Sequence, residues 1–137
     1  MGLDLGTKRV GVAVSDSGGR VATAHAVLER TGDADADRTA LAAVVTDLGA
    51  EAVVVGLPLS LDGTAGPAAR WAEAEARALA GALDVPLHLH DERLSTVTAS
   101  RRPAGLARRA RSRRPVDDAA AAVLLQSWLD GRRSETD

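Results

Sequence analysis

The chain carries its candidate chemistry as carboxylates at three distant places. Asp4 sits inside the apolar opening run GLDLGTKRVGVAVSD, Asp91 and Glu92 follow the run VPLHLH, and Asp117 and Asp118 open VDDAAAAVLLQSWLD. An ionised acid in an apolar strand is costly unless a cation meets it, and carboxylates gathered at one place are stable only when protonated or bridged by cations. Oxygen-only donors suit Mg²⁺ or Mn²⁺, which keep several waters and share phosphate oxygens. Two such ions, about 3.5–4 Å apart, activate a water and stabilise the leaving oxygen of a phosphodiester. Phosphodiester hydrolysis is the chemistry expected of this set.

Each piece also has an ordinary structural reading. Acids are favoured in the first turn of a helix, so Asp117 and Asp118 could serve as dipole partners, and Glu92 could pair with Arg93 at the surface. His25, His88 and His90 lie in apolar strands and read as core or surface residues. His88 and His90 share a face, but no third metal ligand accompanies them. The loop from Gly56 to Gly66 carries the hydroxyls of Ser60 and Thr64 ahead of a helix start, a place where phosphate oxygens bind readily.

Composition narrows the classes. The 137 residues have no cysteine, which excludes disulfides and thiolate chemistry. The net charge of -2 hides an asymmetry, because seven arginines and no acid lie between Arg101 and Arg114. With Trp71 and Trp128 as the only aromatics, a platform that stacks successive bases is not expected, and a nucleic-acid partner would be held by backbone and shape. The absence of a long apolar run or a secretion-type leader points to a cytoplasmic protein with no membrane partner.

The elements that must position these acids follow from pattern. Residues 2–6, 10–15 and 21–28 read as three successive strands, joined by a turn at Gly6 and by the hairpin signal Asp16-Ser17-Gly18-Gly19. A helix over 34–49 is capped by Asp33 or Asp35. A buried strand covers Ala52 to Val55. A second helix runs from Pro67 to about 84, with Trp71, Ala78, Leu79, Ala82 and Leu83 on its apolar stripe. VPLHLH is the fifth strand, and Ser95 or Thr96 could cap a short helix ending near Pro103. Pro115 opens a last helix, ending at Gly131, with Val116, Ala120, Val123, Leu124 and Ser127 on one stripe. One domain over 1–137 is expected, with a flexible arginine segment at about 101–114 and a frayed tail at 132–137. The first three strands pair antiparallel and the rest parallel, which gives a five-stranded mixed sheet flanked by helices, an α/β fold of the ribonuclease H-like kind.

Four motifs in this order and spacing, GLDLGTKRVGVAVSD, VVVGLPLSLDGT, HDERLST and VDDAAAAVLLQSWLD, resemble the YqgF (RuvX) family of bacterial ribonuclease H-like proteins over nearly the whole chain. The resemblance implies a nuclease that helps mature the 5′ end of pre-16S ribosomal RNA, with Holliday junction resolution as the older alternative. It carries the family's acidic triad onto Asp4, Glu92 and Asp117 as catalytic and metal-holding residues, leaving Asp118 as a variable neighbour. It also points to Thr7, Lys8, Arg9 and Arg93 near the substrate, with Lys8 and Arg93 on phosphates and Thr7 supporting them. The segment RRPAGLARRARSRRP is richer in arginine than the family's common form.

Two other classes compete. DLGT also opens the actin-like ATPases and sugar kinases, but these close two domains over a nucleotide and the length supplies one. A non-catalytic RNA-binding ribosome-assembly factor on the same fold is the second, and retention of all three acids argues against it. The expected partner is nucleic acid, pre-rRNA first and branched DNA second. The expected state is a monomer or weak dimer, since a resolvase requires paired sites in a two-fold dimer.

Overall fold

The computed structural model describes residues 1–59, 62–91 and 119–136. Ser60, Glu92, Arg93, Asp117, Asp118, the arginine segment and the short helix expected after Ser95 lie outside the described residues. The order is β1 (Gly2–Leu5), β2 (Arg9–Ser15), β3 (Ala22–Glu29), α1 (Ala34–Asp47), β4 (Val53–Leu57), α2 (Pro67–Ala80), β5 (Leu87–Asp91) and α3 (Ala119–Thr136).

The five strands lie in the order β3-β2-β1-β4-β5. β2 pairs antiparallel with β1 and with β3, while β1–β4 and β4–β5 are parallel. The mixed sheet expected from the sequence is therefore present. Its turns follow from local chemistry. Gly6 donates its N–H to the Arg9 carbonyl at 2.9 Å, and a Cβ there would sit 2.7 Å from that oxygen, so the β1–β2 turn admits only glycine. In the β2–β3 turn Asp16 Oδ1 accepts the backbone N–H groups of Arg20 (2.7 Å) and Val21 (3.2 Å). Asp33 caps α1, accepting from the N–H groups of Asp35 and Ala36.

The sheet is buried on both faces. On one, Leu3, Val10, Val12, Val53 and Val55 pack against Leu41 and Val45 of α1 and Ala76 and Leu79 of α2. On the other, Ala13 and Val54 pack against Ala121, Leu124, Leu125 and Leu129 of α3. The continuous apolar run of β4 serves both layers, as a central parallel strand must.

The helices depart from expectation in their faces and ends. The buried stripe of α2 is Ala69, Ala72, Ala76 and Leu79, with Ala78 exposed. The helix stops at Ala80 because Gly81 caps it, donating to the Arg77 carbonyl. On α3 the buried side chains are Ala121, Val123, Leu124, Leu125 and Leu129, and Ala120 is exposed. In these alanine-rich segments the contrast between faces is weak, and contact with the sheet selects the buried one. α3 also passes Gly131, where the sequence suggested a stop, into the expected tail as far as Thr136. A single glycine lowers helix stability by only about 1 kcal/mol relative to alanine, too little to end a docked helix.

Candidate active site

Strand alternation sends Leu3 and Leu5 to the α1/α2 face, where both pack in the core, and Gly2 and Asp4 to the α3 face. Asp4 is half-buried. On β2 its partner is Gly11. On β4 the paired positions are Gly2↔Val54 and Leu3↔Val55, so Asp4 lies one residue beyond the last of them, while Gly56 pairs with His90 of β5. Asp4 thus stands opposite a glycine of β2, at a strand spacing of about 4.8 Å. Gly11 adds no side chain on that flank.

α3 roofs this face and runs antiparallel to β1. Its first turns lie over Gly2, where a Cβ would be 3.2 Å from the Ala121 carbonyl. Its later turns reach the far end of the sheet, where Trp128, Leu129 and Arg132 line a cavity with Met1, Asp16 and Ala52. Gln126 fastens it there, accepting from the Ala22 N–H (2.9 Å) and donating to the Arg20 carbonyl (2.8 Å). Ala119 therefore begins the helix at the end of the sheet where Asp4 lies. Asp91 closes β5 at that same carboxyl edge. These are the flanks of the chain at Glu92 and Asp117, themselves outside the described residues.

Thr7, Lys8 and Arg9 follow β1 directly and all three are exposed. Arg9 alternates with Gly11 and Ala13, which puts it on the Asp4 face. Thr64 is differently engaged. Its hydroxyl donates to Asp62 Oδ1 at 2.7 Å and its N–H to the same oxygen at 3.0 Å, so the donors expected for phosphate close a local turn. That turn precedes α2, whose cap residue Gly66 contributes no side-chain bond.

His88 and His90 have structural work. His90 meets Ser127 Oγ at 3.0 Å, and burial pushes its imidazole below the ordinary value against the pull of Asp91. His88 stacks on Trp128 at 5.2 Å between ring centroids. His25 is exposed on β3, skipped where the β2–β3 register shifts. Among the described residues no group of three or more His, Asp or Glu is gathered to hold a metal. Asp4 alone of the expected triad is described, and it offers the hard oxygen donor that Mg²⁺ or Mn²⁺ requires. Sequence reasoning missed Gly11 and set Gly56 at the start of a loop, whereas Gly56 lies inside β4; a glycine inside a strand run is a recognised sign of close approach by backbone or ligand.

Residues 1–131 match the family model described as "RuvX: Holliday junction resolvase". A protein of Leifsonia xyli subsp. xyli named "Putative pre-16S rRNA nuclease" is 45% identical over 135 residues, spanning 98% of this chain and 86% of its own. One of the same name from Anaeromyxobacter dehalogenans (strain 2CP-C) is 47% identical over 133 residues, 96% of each chain. The RuvC structure from Thermus thermophilus superposes with a TM-score of 0.61 at 17% identity over 97% of this chain and 95% of its own. RuvC of the same organism in complex with Holliday junction substrate gives 0.63 at 15% identity, over 97% and 94%. These two likenesses establish the ribonuclease H-like fold. With its family model matched from residue 1 to 131 and relatives this similar along their length, the chain belongs to the RuvX family.

Proposed function

We propose that this protein is a metal-dependent nuclease that hydrolyses phosphodiester bonds in the 5′ region of pre-16S ribosomal RNA, acting in the cytoplasm. The observation that carries the reading is the position of Asp4, an acid on the sheet face beneath α3, opposite Gly11 of β2 at the carboxyl edge of the parallel strands. Ligand crevices of open α/β sheets form at that edge. The names of the relatives supply the substrate.

In this reading Asp4, Glu92 and Asp117 hold Mg²⁺ or Mn²⁺, with two ions as the expected complement. The ions, when bound, lower the pKa of a water and neutralise charge on the scissile phosphate. The chain's own residues do the rest. Lys8 and Arg9, exposed just after β1, and Arg93 hold phosphates flanking the cut. Thr7 supports the turn that carries Lys8, and Ser60 and Thr64 belong to the loop before α2 that borders the substrate path. For Thr64 this requires release of its hydroxyl from Asp62. The arginines between Arg101 and Arg114 add contacts to the RNA backbone, so affinity falls steeply with salt.

The test is a substrate panel. Purified protein is incubated with precursor 16S RNA, a four-way DNA junction and unstructured strands, each with and without Mg²⁺ or Mn²⁺. Cation-dependent cleavage of the precursor RNA is expected. Cleavage of the junction alone would move the assignment to a resolvase, and binding of RNA without any cleavage would make the protein an assembly factor.

A further inference from the structure

Arg30 follows β3 and lies behind the sheet, on the side away from Asp4's face. Its side chain is 10% exposed. Nε donates to the Gly6 carbonyl at 2.6 Å. The guanidinium lies 5.3 Å from the ring centre of Trp71 on α2 and 3.9 Å from Glu75, one turn further along. Its backbone N–H donates to the Lys8 carbonyl at 2.9 Å. One residue therefore touches both ends of the Gly6-Thr7-Lys8 turn and the helix packed behind it.

One part of the arrangement costs stability. Nη2 is buried with no hydrogen-bond partner, and a buried N–H left unpaired is a penalty that an apolar side chain of the same length avoids. What arginine supplies, and an apolar side chain cannot, is a planar fork that bonds one carbonyl while stacking on an aromatic face. The target carbonyl, that of Gly6, lies between Asp4 and Lys8 in the chain. Gly6, with no Cβ, is the residue of this turn least able to hold its own plane.

We propose that Arg30 is a positioning residue, fastening the Gly6–Lys8 turn to α2 and so fixing Asp4 and Lys8 for the substrate. It touches no reacting atom. The consequence for turnover rests on the nuclease reading, whereas the consequence for the turn does not.

The experiment compares wild type with Arg30→Met, which keeps the stem and removes every donor, and with Arg30→Lys, which keeps the charge and a donor. Amide exchange is followed at Gly6 and in the core at Val12 and Val54. With the Gly6 carbonyl released, the turn loosens its own Gly6 N–H bond to the Arg9 carbonyl, and the Gly6 amide should exchange about tenfold faster in Arg30→Met, the scale of one lost charge-assisted bond. Arg30→Lys should recover part of the difference, and the core amides should not change. On precursor RNA, kcat should fall in the same order, with KM altered less. The inference is overturned if Gly6 exchange stays at the wild-type rate, if core and turn loosen together, or if the turn loosens while kcat is unchanged. If Arg30→Met fails to fold, Trp71→Leu, which removes the stacking face, takes its place under the same criteria. If wild type cleaves nothing, the nuclease reading fails, and exchange at Gly6 alone decides the clamp.

Discussion

A Cβ placed on Gly2 would stand 2.8 Å from the Cβ of Leu125 and 3.2 Å from the Ala121 carbonyl oxygen. The first turns of α3 therefore rest on bare backbone of β1, two residues from Asp4. Gly2→Ala should destabilise the fold by about 1–3 kcal/mol, the range for overpacking a close contact. Urea unfolding measures it. Leu125→Ala should not rescue the variant, because alanine keeps the Cβ that clashes, and rescue would mean that α3 can ride over the sheet.

The layer under α3 is thin, so its large side chains matter individually. Leu124 is 1% exposed, and Leu124→Ala should cost about 2–5 kcal/mol through lost burial and the cavity left behind. Leu89 on the edge strand β5 is 40% exposed. Its replacement by Ser should change stability by about 0.5 kcal/mol or less. Denaturant midpoints at constant slope give both values, and equal effects would contradict the assigned layers.

Asp37 links stability to pH at the β3–α1 junction. Its Oδ1 accepts the Thr31 N–H at 3.0 Å and the Thr31 hydroxyl at 2.8 Å. The Thr31 N–H and hydroxyl bonds, helped by the charge of Arg30, hold the carboxyl below the usual range, outweighing the opposing effect of its burial. A depressed folded pKa stabilises the native state above the unfolded value, and the benefit disappears as pH falls through the folded one. Asp37→Asn should therefore be less stable than wild type at pH 7, with the gap closing below about pH 4. A gap independent of pH would show that the charge contributes nothing.

Among the neighbouring acids, function should discriminate sharply. Asp117→Asn and Glu92→Gln should each lower cation-dependent cleavage by at least about 100-fold, the loss expected when a metal-holding carboxylate becomes an amide. Asp118→Asn should retain most of the wild-type rate. Single-turnover cleavage distinguishes them, and a dead Asp118→Asn beside an active Asp117→Asn would reassign the triad.

Much of the fold was legible in short-range pattern. The three opening strands, the Gly6 turn, the Asp16 hairpin and the Asp33 cap each depend on residues within a few positions of one another. The faces of α2 and α3 were legible only at larger side chains such as Leu79, Val123 and Leu124, because alanine differs too little from its neighbours to mark a stripe. Gln126 bonding to Ala22 and Arg30 bonding to Gly6 join residues distant in the chain, and nothing local announces such partners. Asp4 was visible as an acid out of place in a strand, but the glycine opposite it, Gly11, came from the pairing register, which only the assembled sheet defines.

The most direct test replaces Asp4 with Asn and measures cleavage of precursor 16S RNA across a Mg²⁺ or Mn²⁺ titration, with RNA affinity and thermal unfolding recorded on the same preparation. The account predicts a loss of cleavage of at least about 100-fold at every cation concentration, with affinity and folding close to wild type. Cleavage at the wild-type rate by a folded Asp4→Asn protein would contradict it.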